Sequence, residues 1–412
     1  PANTICVGVE TPLSDWPIED SLSELFELAQ TAGLNPTKTF HQNRHSPNQL
    51  SYIGKGKLDE LKELVQEEKY VVALFDDELS PMQQRHLENT LEIKILDRTS
   101  IVLDIFSQRA QTKEAQIQIE LAQLQYIQPR LRKMWTHLSR LGGGIGTRGP
   151  GETQLEVDRR QVSKRIQKLK ENLKKVRASR ENQRKKRIIT PFTTIAIMGY
   201  TNAGKSTIHN LLTDSNVLQE DKLFATLDPT TRKLKLPNND EILITDTVGF
   251  IRKLPHQLID AFKATLEEVI YADLVLHIID CSNEHWKELM ETSYDVLKKI
   301  NITIKNEAII FNKIDLCKDP VLTKHTCSDT SSFFVSATKE STKEKLITII
   351  EKNLQQFKTK MTFNIPFNKM DIYSLLHKKS QILETEQIEN GIKVTCEINT
   401  VIGSKIMSQL HK

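Results

Sequence analysis

The chain has 412 residues, 57 Lys+Arg against 53 Asp+Glu, and a formal charge of +4. That length calls for roughly two to four domains, and so mild a charge excludes no partner class until its distribution is read. The five cysteines, Cys6, Cys281, Cys317, Cys327 and Cys396, form no Cys-x-x-Cys pair, which argues against a zinc site or a disulfide framework and suits a reducing cytosol; no charged-then-apolar leader and no apolar run of about eighteen residues is present, so neither a secretory signal nor a membrane span is expected.

The first hundred residues alternate strand and helix. Ile5–Val9 predicts a strand, Ser21–Ala32 a helix stopped by Gly33, and Thr37–His41 a second strand. Lys57–Glu68 predicts a helix, Val71–Phe75 a buried strand, Pro81–Leu91 a helix with Ser80 as cap and Pro81 at its first position, and Ile93–Leu96 a strand. This is the pattern of a small α/β domain with a mostly parallel sheet, assigned to residues 1–106. The turn Ile53-Gly54-Lys55-Gly56-Lys57 resembles a phosphate cradle, but a lone glycine-lysine turn before a helix reads as a turn.

From Gln108 to Leu138 the texture changes. Apolar residues recur at Ile117, Leu121, Leu124, Leu131, Trp135 and Leu138, with Gln128 at the one missing position, and again at Leu155, Val162, Ile166, Leu169, Leu173 and Val176. These steps of three and four are heptad seams, and they predict an antiparallel helical hairpin over 107–187 that projects from a compact domain. Pro129 is expected to kink or break its first helix. The joining loop Gly142–Gly151 holds six glycines in ten residues. With Arg140 and Arg148 beside bare backbone, it suits close approach to a phosphate backbone, so Arg140, Gly142, Gly143, Gly144, Arg148, Gly149 and Gly151 are the candidate RNA contacts. From Arg159 to Arg187 the second helix carries fourteen cations against Glu171 and Glu181. That excess is the footprint of a polyanion, most simply RNA phosphate; the helix lacks the apolar stripe that lipid binding demands.

Residues 188–357 carry the chemistry. Thr194–Met198 predicts a buried strand, Gly199-Tyr200-Thr201-Asn202-Ala203-Gly204-Lys205-Ser206-Thr207 fits the phosphate-binding loop, and Ile208–Leu212 begins a helix. Backbone N–H groups of the loop turn onto phosphate oxygens, Lys205 reaches the β- and γ-phosphates, and Ser206 offers its hydroxyl to Mg²⁺. Downstream, Asp246-Thr247-Val248-Gly249 ends a strand; Asp246 acts on Mg²⁺ through a water, and the Gly249 N–H approaches the γ-phosphate, so Lys205 and Gly249 are the catalytic candidates. Asn312-Lys313-Ile314-Asp315 follows another strand, and a carboxylate there accepts the paired donors of guanine. Ser336-Ala337-Thr338 follows a third, where backbone can meet the base oxygen. Four such pieces in this order are the phosphate-loop GTPase pattern with guanine specificity. Switch I falls within Leu223–Arg232, where Phe224, Ala225, Thr226, Leu227 and Asp228 are nucleotide candidates; Thr226, Thr230 and Thr231 each offer a hydroxyl, and spacing does not choose among them. Phe250 stands where Ras-like enzymes carry a water-orienting Gln, so slow intrinsic hydrolysis accelerated by a partner is expected. Arg252 nearby could serve in cis, but a solvated arginine is the commoner reading. Helices are predicted at 256–270, 284–300 and 340–357, and a strand over Leu274–Asp280.

The tail, residues 358–412, predicts a strand at Met361–Ile365, a helix at Asp371–Leu383, a strand at Lys393–Ile398 and a last helix from about Thr400, enough to finish an α/β sheet. The expected class is therefore multidomain α/β: an N-terminal α/β domain with a helical hairpin, a phosphate-loop GTPase domain and a small C-terminal α/β domain.

The run from Arg140 to Glu156 (Arg-Leu-Gly-Gly-Gly-Ile-Gly-Thr-Arg-Gly-Pro-Gly-Glu-Thr-Gln-Leu-Glu), followed by Asp158-Arg159-Arg160, resembles the signature of the HflX GTPases, as do Leu223–Arg232 and Phe250 after Asp-Thr-Val-Gly. The resemblance covers essentially the whole chain. It implies binding to the large ribosomal subunit, to its RNA and proteins near the peptidyl transferase centre, through the N-terminal domain and hairpin loop. It further implies dissociation of stalled or stress-arrested ribosomes into subunits, with ribosome-stimulated GTP hydrolysis recycling the factor. Carried over by motif, Ser206 and Thr226 become the Mg²⁺ ligands and Asn312 and Asp315 the guanine readers. A cytoplasmic monomer is expected, with peripheral membrane contact left open. A rival reading is an RNA-binding assembly or storage factor that GTP only times, and another is a GTPase switch with a protein effector.

Overall fold

The computed structural model describes residues 2–12, 14, 16–134, 150–187, 193–214, 223–224, 226–237, 241–318, 332–355 and 358–410. The chain divides into two compact units: Pro1–Val176 with Lys222–Phe224 and Arg252–Phe262, and Arg177–Asp221 with Ala225–Ile251 and Lys263–Lys412.

The first unit opens with β1 (Asn3–Glu10), α1 (Ile18–Thr31), β2 (Asn35–Asn43), α2 (Lys55–Glu67), β3 (Val72–Phe75), α3 (Pro81–Leu91) and β4 (Lys94–Asp97). The four strands form a parallel sheet in the order β2-β1-β3-β4. β1 is buried along nearly its whole length, which is why it reads as a continuous apolar run rather than an alternation. Ile5, Val7 and Val9 pack with Leu58, Leu61, Val65, Leu87 and Leu91 of α2 and α3. Gly8 faces α1, where a Cβ would lie 2.7 Å from Ile18 Cδ1. α3 begins as its sequence predicts: Ser80 Oγ accepts from the Gln83 N–H, and the Gln83 side chain returns the bond.

Two departures follow. A helix absent from the sequence reading, α4 (Arg98–Arg109), is capped by Asp97 and Ser100, and the first heptad helix, α5 (Lys113–Met134), starts only at Lys113. Nor does Pro129 break α5, which runs through it. The next residue supports the helix from outside: Arg130 lies 3.5 Å from the Tyr126 ring centroid and donates to the carbonyls of Tyr126 (2.8 Å) and Leu79 (2.7 Å). The second heptad helix is α6 (Pro150–Arg187). Ile117, Leu121 and Leu124 meet Val162, Ile166, Leu169, Leu173 and Val176 in one apolar seam. At the missing heptad position Gln128 Nε2 donates to Ser163 Oγ at 3.1 Å, a polar pair that fixes register. The candidate tip residues Arg140, Gly142, Gly143, Gly144, Arg148 and Gly149 lie outside the described residues.

The second unit contains β5 (Thr193–Gly199), α7 (Lys205–Thr213), β6 (Thr230–Lys235), β7 (Glu241–Asp246), α8 (Ile259–Tyr271, its first four residues counted in the first unit), β8 (Leu274–Asp280), α9 (Trp286–Lys299), β9 (Glu307–Asn312), β10 (Ser332–Phe334) and α10 (Thr342–Gln355). Its sheet runs β10-β9-β8-β5-β7-β6, parallel except for β6 against β7. Thr230 and Thr231 start this edge strand, β6, opposite Asp246 and Thr245 of β7.

The tail consists of β11 (Lys358–Pro366), α11 (Met370–Lys379), β12 (Gln381–Ile388), β13 (Gly391–Asn399) and α12 (Thr400–Leu410). It does not finish another sheet. It builds its own antiparallel one, β11-β13-β12, around Phe363, Ile365, Leu376, Val394, Cys396, Ile398 and Ile406. The predicted helix over Asp371–Leu383 ends at Lys379, because Gln381–Ile388 pairs with β13 across Glu389-Asn390. Gly391 opens β13, where a Cβ would lie 2.1 Å from the Ile365 carbonyl oxygen of β11, so a glycine there lets the strands pair closely.

Candidate nucleotide site

The site lies at the carboxyl ends of β5, β7 and β9 in the second unit. Where a parallel strand ends and a helix begins, unpaired backbone N–H groups converge. β5 ends at Gly199, and α7 begins at Lys205 with Gly204 before it in the left-handed region (φ 92°). A side chain at Gly204 is excluded twice, by that φ and by Asn312 Nδ2, which a Cβ would approach to 2.2 Å. Between them Tyr200 pairs with Phe250, the Thr201 N–H donates to the Phe250 carbonyl (2.8 Å), and the Phe250 N–H donates to the Gly199 carbonyl (3.1 Å). Phe250 is fully buried, so the residue in the water-orienting position ties the segment after Gly249 to the phosphate loop. Asn202 is exposed and left-handed, while Ala203 is buried.

Lys205 is buried, and its Nζ donates to the Tyr200 carbonyl at 2.6 Å. Desolvation pushes its ammonium down to about 8, with Lys313 acting in the same sense and Asp246 opposing. Gly249 leaves room for that ammonium: a Cβ there would lie 2.8 Å from Lys205 Nζ and 3.0 Å from Thr201 Cα.

Three hydroxyl and carboxylate groups converge beside it. Ser206 Oγ and Thr226 Oγ1 donate to Asp246 Oδ2 at 2.7 and 2.8 Å and stand 2.9 Å from each other. Of the three switch threonines, Thr226 is the one gathered here; Thr231 bonds to Thr245 instead. Asp246 is 2 % exposed, and among the described residues its Oδ1 has no hydrogen-bond partner. Hard oxygen donors with an unsatisfied carboxylate oxygen fit a small divalent cation such as Mg²⁺. Thr247 and Val248 are buried, and Thr247 Oγ1 donates to the Ile197 carbonyl (2.7 Å). Leu227 is buried and Asp228 half-buried; Ala225 lies outside the described residues. Phe224 belongs to the first unit, where its ring packs edge-on against Phe106 with centroids 4.6 Å apart. Its side chain therefore serves an aromatic core.

The base loops are tied to the phosphate loop by Asn312. Its Nδ2 donates to the Ala203 carbonyl and its Oδ1 accepts the Ala337 N–H, both at 2.9 Å. Asn312 thus acts as a strut, whereas Asp315, in the turn Ile314–Leu316, is exposed. Lys313 takes a left-handed φ of 64° and pairs with Asp280 at 2.8 Å. Ser336 Oγ lies 2.9 Å from Thr338 Oγ1, and the Ser336 carbonyl accepts from Thr342 Oγ1 at 2.6 Å. Sequence reading missed this bracing by Thr342 and Asp280, and also the buried His209, whose imidazole desolvation holds below its usual range. None of the three lies in a motif. Arg252 is half-buried rather than freely solvated, and its guanidinium stacks 4.0 Å from the Trp16 ring centroid within the first unit.

Three family models match the chain. They are described as GTP-binding GTPase N-terminal (residues 19–107), GTP-binding GTPase middle region (109–187) and 50S ribosome-binding GTPase (194–313). The GTPase HflX of Caldanaerobacter subterraneus is 44% identical over 394 residues, covering 95% of this chain and 91% of its own. That of Lacrimispora saccharolytica is 46% identical over 390 residues with the same coverage. That of Escherichia coli is 45% identical over 305 residues, 74% of this chain and 71% of its own. Among solved structures, a complex of SsGBP and GDP matches with a TM-score of 0.50 at 26% identity, covering 86% of this chain and 99% of that one.

Proposed function

The chain belongs to the HflX family of GTPases, and from that premise we propose that it binds the large ribosomal subunit and separates stalled or stress-arrested ribosomes into subunits, GTP hydrolysis releasing the factor afterwards. The observation that carries the reading is the surface of α6 outside its seam: from Arg159 to Arg177 nine cations are exposed while the apolar residues between them are spent on the seam with α5. A helix so arranged meets a phosphate backbone through exchange of counterions.

In hydrolysis the phosphate-loop N–H groups and the Lys205 ammonium hold the β- and γ-phosphates, and the Gly249 N–H meets a γ-oxygen. Ser206 and Thr226 would hold Mg²⁺ with Asp246 supporting them from outside the ligand set, and the cation would supply neutralisation of phosphate charge. Asn312 keeps the Ala203 and Ala337 loops in register, and Asp315 and the Ser336–Thr338 backbone recognise guanine. Phe250 offers no hydrogen bond to an attacking water, so hydrolysis awaits a partner that completes the site. That partner is the ribosome.

Sedimentation of intact ribosomes with the purified protein tests this. Conversion to subunits with GTP and with a non-hydrolysable analogue, but not with GDP, is the expected result and places hydrolysis after separation. Binding to subunits with whole ribosomes intact would instead make the protein an assembly or storage factor.

A further inference from the structure

Behind the base loops lies a pair of thiols that nucleotide binding does not use. Cys281 directly follows β8, and Cys317 directly follows the turn that carries Asp315. Their Sγ atoms are 3.5 Å apart. Cys281 is buried in a small apolar cluster with Ile279 and Phe311, onto which Trp286, Ile314 and Cys317 pack. Its N–H and its thiol both donate to the Asn312 carbonyl, at 3.1 and 2.9 Å. The Cys317 thiol faces the Cys281 sulfur and carbonyl, the latter at 3.2 Å, and is half-buried, so a small solute reaches it first. One sulfur is thus accessible and a second is held behind it within van der Waals contact.

We propose that Cys281 and Cys317 form a thiol–disulfide modification site that peroxide oxidation closes, drawing the base loop towards the end of β8 and weakening guanine-nucleotide binding. This rests on reading Asn312-Lys313-Ile314-Asp315 as the base-recognition loop. The chemistry balances in two steps. The Cys317 thiolate attacks one oxygen of hydrogen peroxide; the O–O bond breaks, and hydroxide leaves and takes up the thiol proton as water, leaving a sulfenic acid. The Cys281 sulfur then attacks that sulfur; the S–O bond breaks, and the departing hydroxide carries off the Cys281 proton as a second water. Two sulfurs give up two electrons and the peroxide accepts them.

A disulfide holds its sulfurs about 2.05 Å apart, so the pair closes by roughly 1.5 Å. Cys281 is anchored by the strand end and the cluster around Phe311, whereas Cys317 sits beside an exposed turn, so the turn moves. Asp315 is two residues away and moves with it, and Asn312 loses the thiol donor to its carbonyl. Misplacing one charge-assisted contact to the base lowers affinity roughly tenfold or more.

The test uses the full chain carrying Cys327→Ser, which removes a competing thiol ten residues on. After treatment with hydrogen peroxide, peptide mapping without reductant should recover the Cys281–Cys317 link. The affinity for a fluorescent GDP analogue should fall roughly tenfold and return with dithiothreitol. Cys317→Ser should bind the analogue normally before and after peroxide. In Cys281→Ala, Cys317 should stop at a sulfenic acid that dimedone traps. Absence of the linked peptide, an unchanged affinity once the link is present, or equal peroxide sensitivity of Cys317→Ser would each overturn the proposal. The base-loop reading is checked separately on reduced protein: Asp315→Asn should turn preference from guanine towards xanthine, and failure there strikes that reading while leaving the crosslink standing.

Discussion

Lys205 shows how a buried cation prepares a site for anions. Burial pushes its ammonium down to about 8 from an ordinary 10.5, so between those values the folded protein carries it partly neutral while an unfolded chain carries it charged. The sign follows: the depressed ammonium costs stability at neutral pH, and that cost disappears as pH rises through 8 towards 10.5. Phosphate oxygens against Nζ favour the charged form. Binding of GDP near pH 9 should therefore take up a proton, seen in calorimetry as a binding enthalpy that tracks the ionisation enthalpy of the buffer; near pH 7.5, where the ammonium is mostly charged and the GDP phosphates are ionised, that uptake should be much smaller. Lys205→Ala should abolish the uptake and nucleotide-dependent activity together. Buffer-independent enthalpy at pH 9 would mean that Lys205 is already fully charged when the nucleotide arrives.

At the scale of elements, the segment Arg252–Phe262 begins two residues after Phe250 and is built into the first unit. Ion pairs, stacked rings and a Gln257–Glu78 hydrogen bond (3.4 Å) hold it. Lys253 pairs with Asp77 at 2.6 Å and with Asp76, Arg252 stacks on Trp16, and Phe262 stacks on Phe106 with centroids 5.8 Å apart. Asp76 is fully buried and also receives Arg98 Nη2 at 2.7 Å and Ser21 Oγ at 2.7 Å. Burial alone would raise its carboxyl, but Arg98 and Lys253 together hold it below the ordinary 3.8. A depressed carboxyl contributes stability that is complete above its unfolded value and is lost as pH falls through the folded one, so this contribution should persist down to about pH 4 and fade only below it. Asp76→Asn removes the nearest charge partner of the buried Arg98, leaving it Glu24 at 3.5 Å, and should cost about 3 kcal/mol in urea unfolding. Lys253→Met, at a position 35% exposed, should cost about 1 kcal/mol or less while speeding hydrogen exchange across 252–262. An exchange rate unchanged by Lys253→Met would show that its ion pairs do not anchor the segment.

The same scale shows what the sequence let one read. The phosphate loop and the ends of β7 and β9 were legible because phosphate, cation and base recognition tolerate few residue types at each position. α4 was not, since Ile101, Val102, Leu103, Ile105 and Phe106 are all buried and a helix apolar on most sides has no stripe to betray its period. β6 and β12 were missed for the opposite reason: Thr230–Lys235 and Gln381–Ile388 are edge strands with mostly exposed side chains, and charge on an edge strand guards against aggregation while hiding the strand. The Asn312 strut joins carbonyl and N–H groups 109 and 25 residues away, a relation no local pattern carries.

For the molecule as a whole, the two candidate RNA-binding features should separate by their response to salt. Of the nine exposed cations from Arg159 to Arg177, Arg165 is already paired with Glu120 at 2.7 Å, which leaves eight for phosphate. If six of them engage, the logarithm of the affinity for ribosomal RNA should fall against the logarithm of salt with a slope of about −4 to −5. Replacing Lys168, Lys174 and Lys175 by Gln should flatten that slope by about 2 to 3 and weaken binding to all RNAs alike, since phosphate contacts carry no sequence information. Deleting Gly142–Gly151 removes one arginine, so the slope should change by about 1 at most, basal hydrolysis should persist, and stimulation by ribosomes should be lost. Filter binding from 50 to 300 mM salt and phosphate release with and without ribosomes read the two effects. A slope untouched by the three substitutions would remove α6 from the interface, because its charge is the ground on which it was assigned, and stimulation surviving the deletion would remove the tip, whose bare backbone, flanking arginines and family resemblance all predict the contact.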